Sequence, residues 1–174
     1  MSSIPFNAYE IFEIAEQIER NGASFYRQAA ALMRRKDAKK FLLDLAVMED
    51  EHEDLFQTLK KQYKLVGNQE VPDLDNLTVS YLRAMAGSNV FVTSNSGKKL
   101  LKGAENVADI LKVALAFEKD SVIYFNTVKK LVQGKKDKAK IDALVEEEVR
   151  HIALLLDKMD EQKKSGKNEL LLRR

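Results

Sequence analysis

Between Leu42 and Leu59, every third or fourth residue reads Leu42, Leu45, Glu49, His52, Phe56, Leu59. Those intervals put all six side chains on one face of an α-helix. The face is apolar at both ends, with a carboxylate and an imidazole one turn apart at its middle. A helix of this kind must bury its apolar face, and two ionisable groups go in with it. Left unpaired there, they would cost several kcal/mol, on the order of a whole domain's stability. Glu-x-x-His aimed into a core is the spacing at which one helix offers two ligands to a metal ion.

The rest of the chain supplies three more helices of the same design. Asn7, with Glu10 three residues on, is a candidate cap for the first. Its inward line is Phe12, Ala15, Glu19, Gly22 and Tyr26, with Ile11, Ile14, Ile18 and Phe25 beside it, while Glu13, Glu16, Arg20 and Arg27 take the solvent side. A basic link, Arg34-Arg35-Lys36, leads to Asp37 as cap of the second helix, which runs to about Lys64 ahead of Gly67-Asn68. So short a link predicts that the two helices pack antiparallel. The third helix, about Ala104 to Val132, carries the stripe Val107, Leu111, Ala114, Glu118, Ser121, Phe125, Val128, Val132. Gln133-Gly134 ends it, Asp137 is placed to cap the fourth, and the fourth shows Ile141, Leu144, Glu148, His151 and Leu155 inward before fraying near Ser165-Gly166.

Residues from about 65 to 103 break the helical stripe. Val71 to Asp75 reads as a turn, Leu77 to Ala86 as a short helix, and Gly87-Ser88-Asn89 and Thr93 to Gly97 as loops. The stretch is too long for a hairpin link and predicts a crossover along the bundle. The tail from about 165 to 174 is expected to be mobile.

The two halves repeat. Ile18 to Phe25 aligns with Phe117 to Tyr124, and 30 residues separate Glu19 from Glu49 just as they separate Glu118 from Glu148. Each later glutamate opens a Glu-x-x-His. The chain is therefore predicted to be a single all-α domain over 1–174, two duplicated helical hairpins forming an antiparallel four-helix bundle. A length of 174 residues, 45% hydrophobic and 32% charged with two prolines and seven glycines, suits such helices and a substantial core.

Composition also excludes several functions. With 29 basic and 27 acidic residues spread along the chain, the net charge of +2 marks no nucleic-acid surface, and the runs Lys135–Lys140 and Lys163–Lys167 read as solvated helix ends. Without cysteine there is no disulfide, thiolate nucleophile, zinc ribbon or iron–sulfur ligand. The opening residues do not read as a secretory signal, and no apolar run approaches the ~20 residues that span a bilayer. No membrane role is expected, and the expected location is the cytoplasm.

The assembled donors are Glu19, Glu49, His52, Glu118, Glu148 and His151. Four carboxylates in one apolar bundle repel one another, so without metal some must hold protons at raised, coupled pKa values. Two divalent ions would cancel them, with one imidazole for each ion and two carboxylates free to bridge. Hard oxygen donors with one nitrogen per ion suit iron or manganese, and zinc can take such a site in a purified sample. The competing explanation is a pair of surface Glu-x-x-His spacings without function. With 15 glutamates in 174 residues, both histidines would carry a glutamate at that spacing in roughly a one-in-a-hundred coincidence. Around these six, Tyr26 reads either as a hydrogen-bond partner to a ligand carboxylate or as a core tyrosine. Glu147 rivals Glu148 as ligand. Asp120 reads as a half-exposed charge or a support for a histidine. Met33, Met48, Met85 and Met159 read as packing.

These motifs carry a resemblance. Glu19 with Tyr26 seven residues on, Glu49-x-x-His52, Glu118 and Glu148-x-x-His151 resemble the rubrerythrin-type members of the ferritin-like di-iron carboxylate proteins, over about Asn7–Lys64 and Ala104–Lys163. The resemblance implies a ferritin-like bundle, a centre of two iron ions and chemistry with hydrogen peroxide or dioxygen. It also implies an external electron donor protein and a homodimer. Rubrerythrins carry a cysteine-ligated rubredoxin domain, and this sequence has no cysteine. They also place a further glutamate one turn after the third-helix ligand, where Ser121 stands. The remaining set of four glutamates and two histidines resembles the symmetric centre of a bacterioferritin. Beside a di-iron oxidoreductase, an iron-handling or ferroxidase protein and a non-enzymatic bundle are the alternatives.

Overall fold

The structure is a computed structural model and describes residues 8–65, 81, 101, 106–132 and 134–165. Four long helices carry it: α1 (Ala8–Leu32), α2 (Lys36–Leu65), α3 (Val107–Leu131) and α4 (Lys135–Ser165). The longest has 31 residues, about 46 Å at 1.5 Å per residue. Asn7, the turn over 71–75, the loops after Ala86 and the tail lie outside the described residues, as does the predicted 77–86 helix apart from helical Tyr81.

Three helix starts differ from the sequence expectation. α3 begins three residues after Ala104, because Asn106 is extended and its side chain accepts from the Asp109 amide at 3.1 Å. This is an N-cap in the usual sense. Asp37 and Asp137 are not caps but lie inside the first turns of α2 and α4, where a carboxylate meets the positive end of the helix dipole. Asp37 also takes both Arg35 guanidinium contacts, which hold its carboxyl below its ordinary value.

The packing partners fix the topology. Arg20 reaches Glu53 and Arg27 reaches Asp50, so α1 and α2 run antiparallel. Tyr26 meets Glu118 and Tyr124 meets the Ile11 carbonyl, so α1 and α3 do too. His52 meets Glu147 and Phe41 meets Lys158, which sets α2 against α4 in the same sense. With α3 and α4 joined by a short turn, α2 and α3 point the same way. The end of α2 and the start of α3 therefore lie at opposite ends of the bundle, which is crossover connectivity.

The core comes in two blocks. One gathers Ile11, Phe12, Ile18, Phe56, Leu59, Phe125, Val128 and Leu144; the other gathers Phe25, Ala29, Leu42, Leu45, Ile110, Leu111 and Leu155. Each large side chain removed from water stabilises the fold by about 1.5–3 kcal/mol. Met33 is buried in the second block, and Met48 and Met159 pack against it. Met85 lies outside the described residues. One residue of the solvent side is misplaced by the helical pattern: Glu16 is buried rather than exposed. Arg20 and Lys60 both reach its carboxylate, and their charge outweighs burial and lowers its pKa.

Candidate metal centre

The two apolar blocks are separated by a polar layer to which every helix contributes. α1 supplies Glu19, α2 Glu49 and His52, α3 Glu118, and α4 Glu148 and His151, and none of the six is more than 4% exposed. Each sits in an apolar stripe because the repeat places a donor at the same height on each helix. The donors form two groups whose ligand atoms all lie within 4.8 Å of one another: Glu19, Glu49, His52, Glu148, and Glu49, Glu118, Glu148, His151. Glu49 and Glu148 belong to both.

Both imidazoles turn Nδ1 into the cluster. His52 Nδ1 is 2.7 Å from Glu148 Oε1 and 3.7 Å from Glu19 Oε2. His151 Nδ1 is 3.2 Å from Glu49 Oε1, 3.6 Å from Glu148 Oε2 and 3.7 Å from Glu118 Oε1. The rings stack with centroids 5.5 Å apart. Despite these close approaches, both oxygens of Glu19 and Glu148, one each of Glu49 and Glu118, and both Nδ1 atoms are buried without a hydrogen bond of good geometry. Native interiors rarely tolerate such orphans. So many in one layer, all oxygen or imidazole nitrogen, fit a pair of divalent ions, iron or manganese.

The electrostatics of the metal-free layer agree. Burial, with the repulsion of the neighbouring carboxylates, raises Glu19, Glu49 and Glu118 well above their ordinary pKa. Burial also opposes charge on Glu148, but contact with both histidines overcomes it and lowers that group to about 2. The histidines answer in kind. Despite burial, Glu148, Glu49 and Glu147 bring His52 up to about 9, and Glu118, Glu148 and Glu49 bring His151 to about 12. Protons thus stand where positive ions fit.

The surroundings resolve the open alternatives. The buried Tyr26 hydroxyl donates to Glu118 Oε1, so it is a hydrogen-bond partner and not merely core. Glu147 stays outside both donor groups. It is half-buried, with Oε2 2.9 Å from His52 Nε2 and Oε1 3.2 Å from Arg150. Glu148 is therefore the inward residue of the pair. Asp120 is half-buried near Tyr81 and touches neither histidine. Ser121 is buried with its hydroxyl unpartnered. Sequence reasoning missed the function of Gly22. A Cβ there would lie 2.8 Å from Glu49 Oε2, so glycine leaves room for a shared donor.

No known family profile and no curated protein matches the sequence. Solved structures do. A ferritin-like diiron-carboxylate protein from Thermotoga maritima matches at a TM-score of 0.66 and 20% identity, over 92% of this chain and 99% of that one. KatB, a manganese catalase from Anabaena, matches at a TM-score of 0.61 and 16% identity, over 94% of this chain and 76% of that one. Among the described residues no helix is long and apolar enough to cross a membrane. The chain has the ferritin-like four-helix-bundle fold, with a buried glutamate–histidine layer at its centre.

Proposed function

We propose that this protein is a di-metal carboxylate oxidoreductase, rubrerythrin-like, that reacts with hydrogen peroxide or dioxygen and takes electrons from a separate donor protein. The observation that carries this reading is the pair of overlapping donor groups sharing Glu49 and Glu148. A structural metal would need one group of four; two joined groups would hold two ions side by side. Bound there, two iron or manganese ions supply two-electron redox chemistry at one place. Glu49 and Glu148 would serve both positions, with Glu19 and His52 completing one and Glu118 and His151 the other. Tyr26 steadies Glu118, and the apolar blocks exclude water from either side.

The structural likeness to a manganese catalase supports peroxide as the reactant and favours a second form of the same reading. In it, one peroxide is oxidised to dioxygen as another is reduced to water, and no donor protein is required. The test is anaerobic loading with Fe(II) or Mn(II), metal analysis, and stopped-flow mixing with each oxidant. Two ions per chain and oxidation faster than that of free Fe(II) are expected. Dioxygen release from peroxide without reductant selects the catalase form, and turnover only with a reductant selects the peroxidase form. Fe(II) oxidation that stops after one round points to iron handling. Metal-loaded protein inert to both oxidants overturns the enzyme reading.

A further inference from the structure

The six donors obey the internal repeat, but the residues behind them do not. A 99-residue offset relates Glu19 to Glu118, and it also relates Tyr26 to Phe125 and Met48 to Glu147. The contacts His52–Glu147 and Phe41–Lys158 fix the register of α2 against α4 and set Met48 opposite His151. His52 thus has a carboxylate at Nε2, held from outside by Arg150, whereas His151 Nε2 is buried without a partner. On the other helices, Glu118 receives the Tyr26 hydroxyl, whereas the repeat gives Glu19 a phenylalanine.

Both differences act in one direction. A histidine that ligates through Nδ1 must carry its proton on Nε2. Glu147 accepts that proton's hydrogen bond, fixing the ring and making Nδ1 a stronger donor. At His151 the same N–H stays buried and unpaired, a state that opposes ligation. The Tyr26 hydroxyl draws electron density from Glu118, leaving it the weaker oxygen donor. We infer that the two metal positions are inequivalent: the Glu19–His52 position, backed by Glu147, takes the first ion, and the Glu118–His151 position takes the second more weakly. The inference rests on the two-metal reading and makes Glu147 a positioning residue.

The test is a Co(II) titration of the full chain under argon, followed by visible absorption against a competing chelator. The wild-type chain should fill in two steps at least about tenfold apart, and His52→Ala should remove the tighter one. Glu147→Leu should weaken the tighter step by about 10–100-fold, with Glu147→Gln losing less because its amide oxygen still accepts from Nε2. Met48→Glu should strengthen the weaker step and close the gap. Equal steps in the wild-type chain, a Glu147→Leu variant with both steps unchanged, or equal weakening of both would overturn the inequivalence and leave two-metal binding intact. Failure of the wild-type chain to bind Co(II) would overturn the two-metal reading itself, and this inference with it.

Discussion

Gly22→Ala should separate the stability of the fold from the integrity of the centre. The added methyl would lie 2.8 Å from Glu49 Oε2 and 3.0 Å from Phe117 Cε1, where ordinary contact begins at 3.4 Å. The Glu49 carboxylate must therefore withdraw by roughly half an ångström, with a smaller shift of the Phe117 ring. For the fold the effects nearly offset. Alanine gains about 1 kcal/mol over glycine inside a helix, and modest overpacking costs about 1–3 kcal/mol. The metal-free variant should lie within about 2 kcal/mol of wild type, or a melting shift of up to about 8 °C. For the centre nothing offsets the movement, because Glu49 serves both donor groups and such sites tolerate only about 0.5 Å of misplacement. Melting curves with chelator and with Mn(II) or Fe(II) measure both effects. The variant should lose most of the metal-induced rise expected of wild type. An alanine variant that binds two ions with unchanged affinity would refute the reasoning.

Ser121→Ala, at the repeat-related position, removes a buried unpartnered hydroxyl and should leave the metal-free melting temperature unchanged or higher, as calorimetry would report. Tyr26→Phe should cost about 1–3 kcal/mol in denaturant unfolding of the metal-free chain, because Glu118 loses its donor. His52→Ala and His151→Ala should each reduce bound metal from two ions to one by elemental analysis, since each removes the nitrogen of one position. The metal-free chain should be most stable in mildly acidic buffer. Raised histidines contribute fully below pH 6.5, and the His52 share is lost as pH rises through about 9. The raised Glu19, Glu49 and Glu118 act in the same sense from 4.5 upward, whereas the Glu148 share is lost as pH falls from 4.5 towards 2. Melting in chelator from pH 4 to 9.5 checks this, and a flat profile would contradict it.

The six residues of the buried polar layer were legible in the sequence because periodicity and chemistry disagree there. Glu49 and His52 occupy positions whose neighbours Leu45 and Phe56 are core, a conflict that a shared metal ion would reconcile. Glu118 carries no motif of its own; it was found as the one carboxylate in an apolar stripe, and the repeat then matched it to Glu19. Glu16 misled because helical spacing ranks faces without knowing where long cations fold over, and Lys60 comes from another helix. Glu147 was singled out for its sequence neighbours, but its contact with His52 depends on the α2–α4 register, which no local pattern encodes. Asp37 and Asp137 show a further limit. An acidic residue near a helix start fits the cap and the first turn alike, and only backbone angles separate them.

The division of the core into two apolar blocks governs traffic as well as stability. Each block stops one end of the polar layer, so no chain of hydrogen-bonding groups leads along the bundle axis among the described residues. The polar thread that does reach water runs sideways from His52 through Glu147 to Arg150, in the seam where α2 meets α4. If an ion enters by this seam, it passes when the two helices part. An ion lodged in the layer would then leave at the rate of that parting. A strong chelator and a weak one, both in excess, would strip it equally slowly.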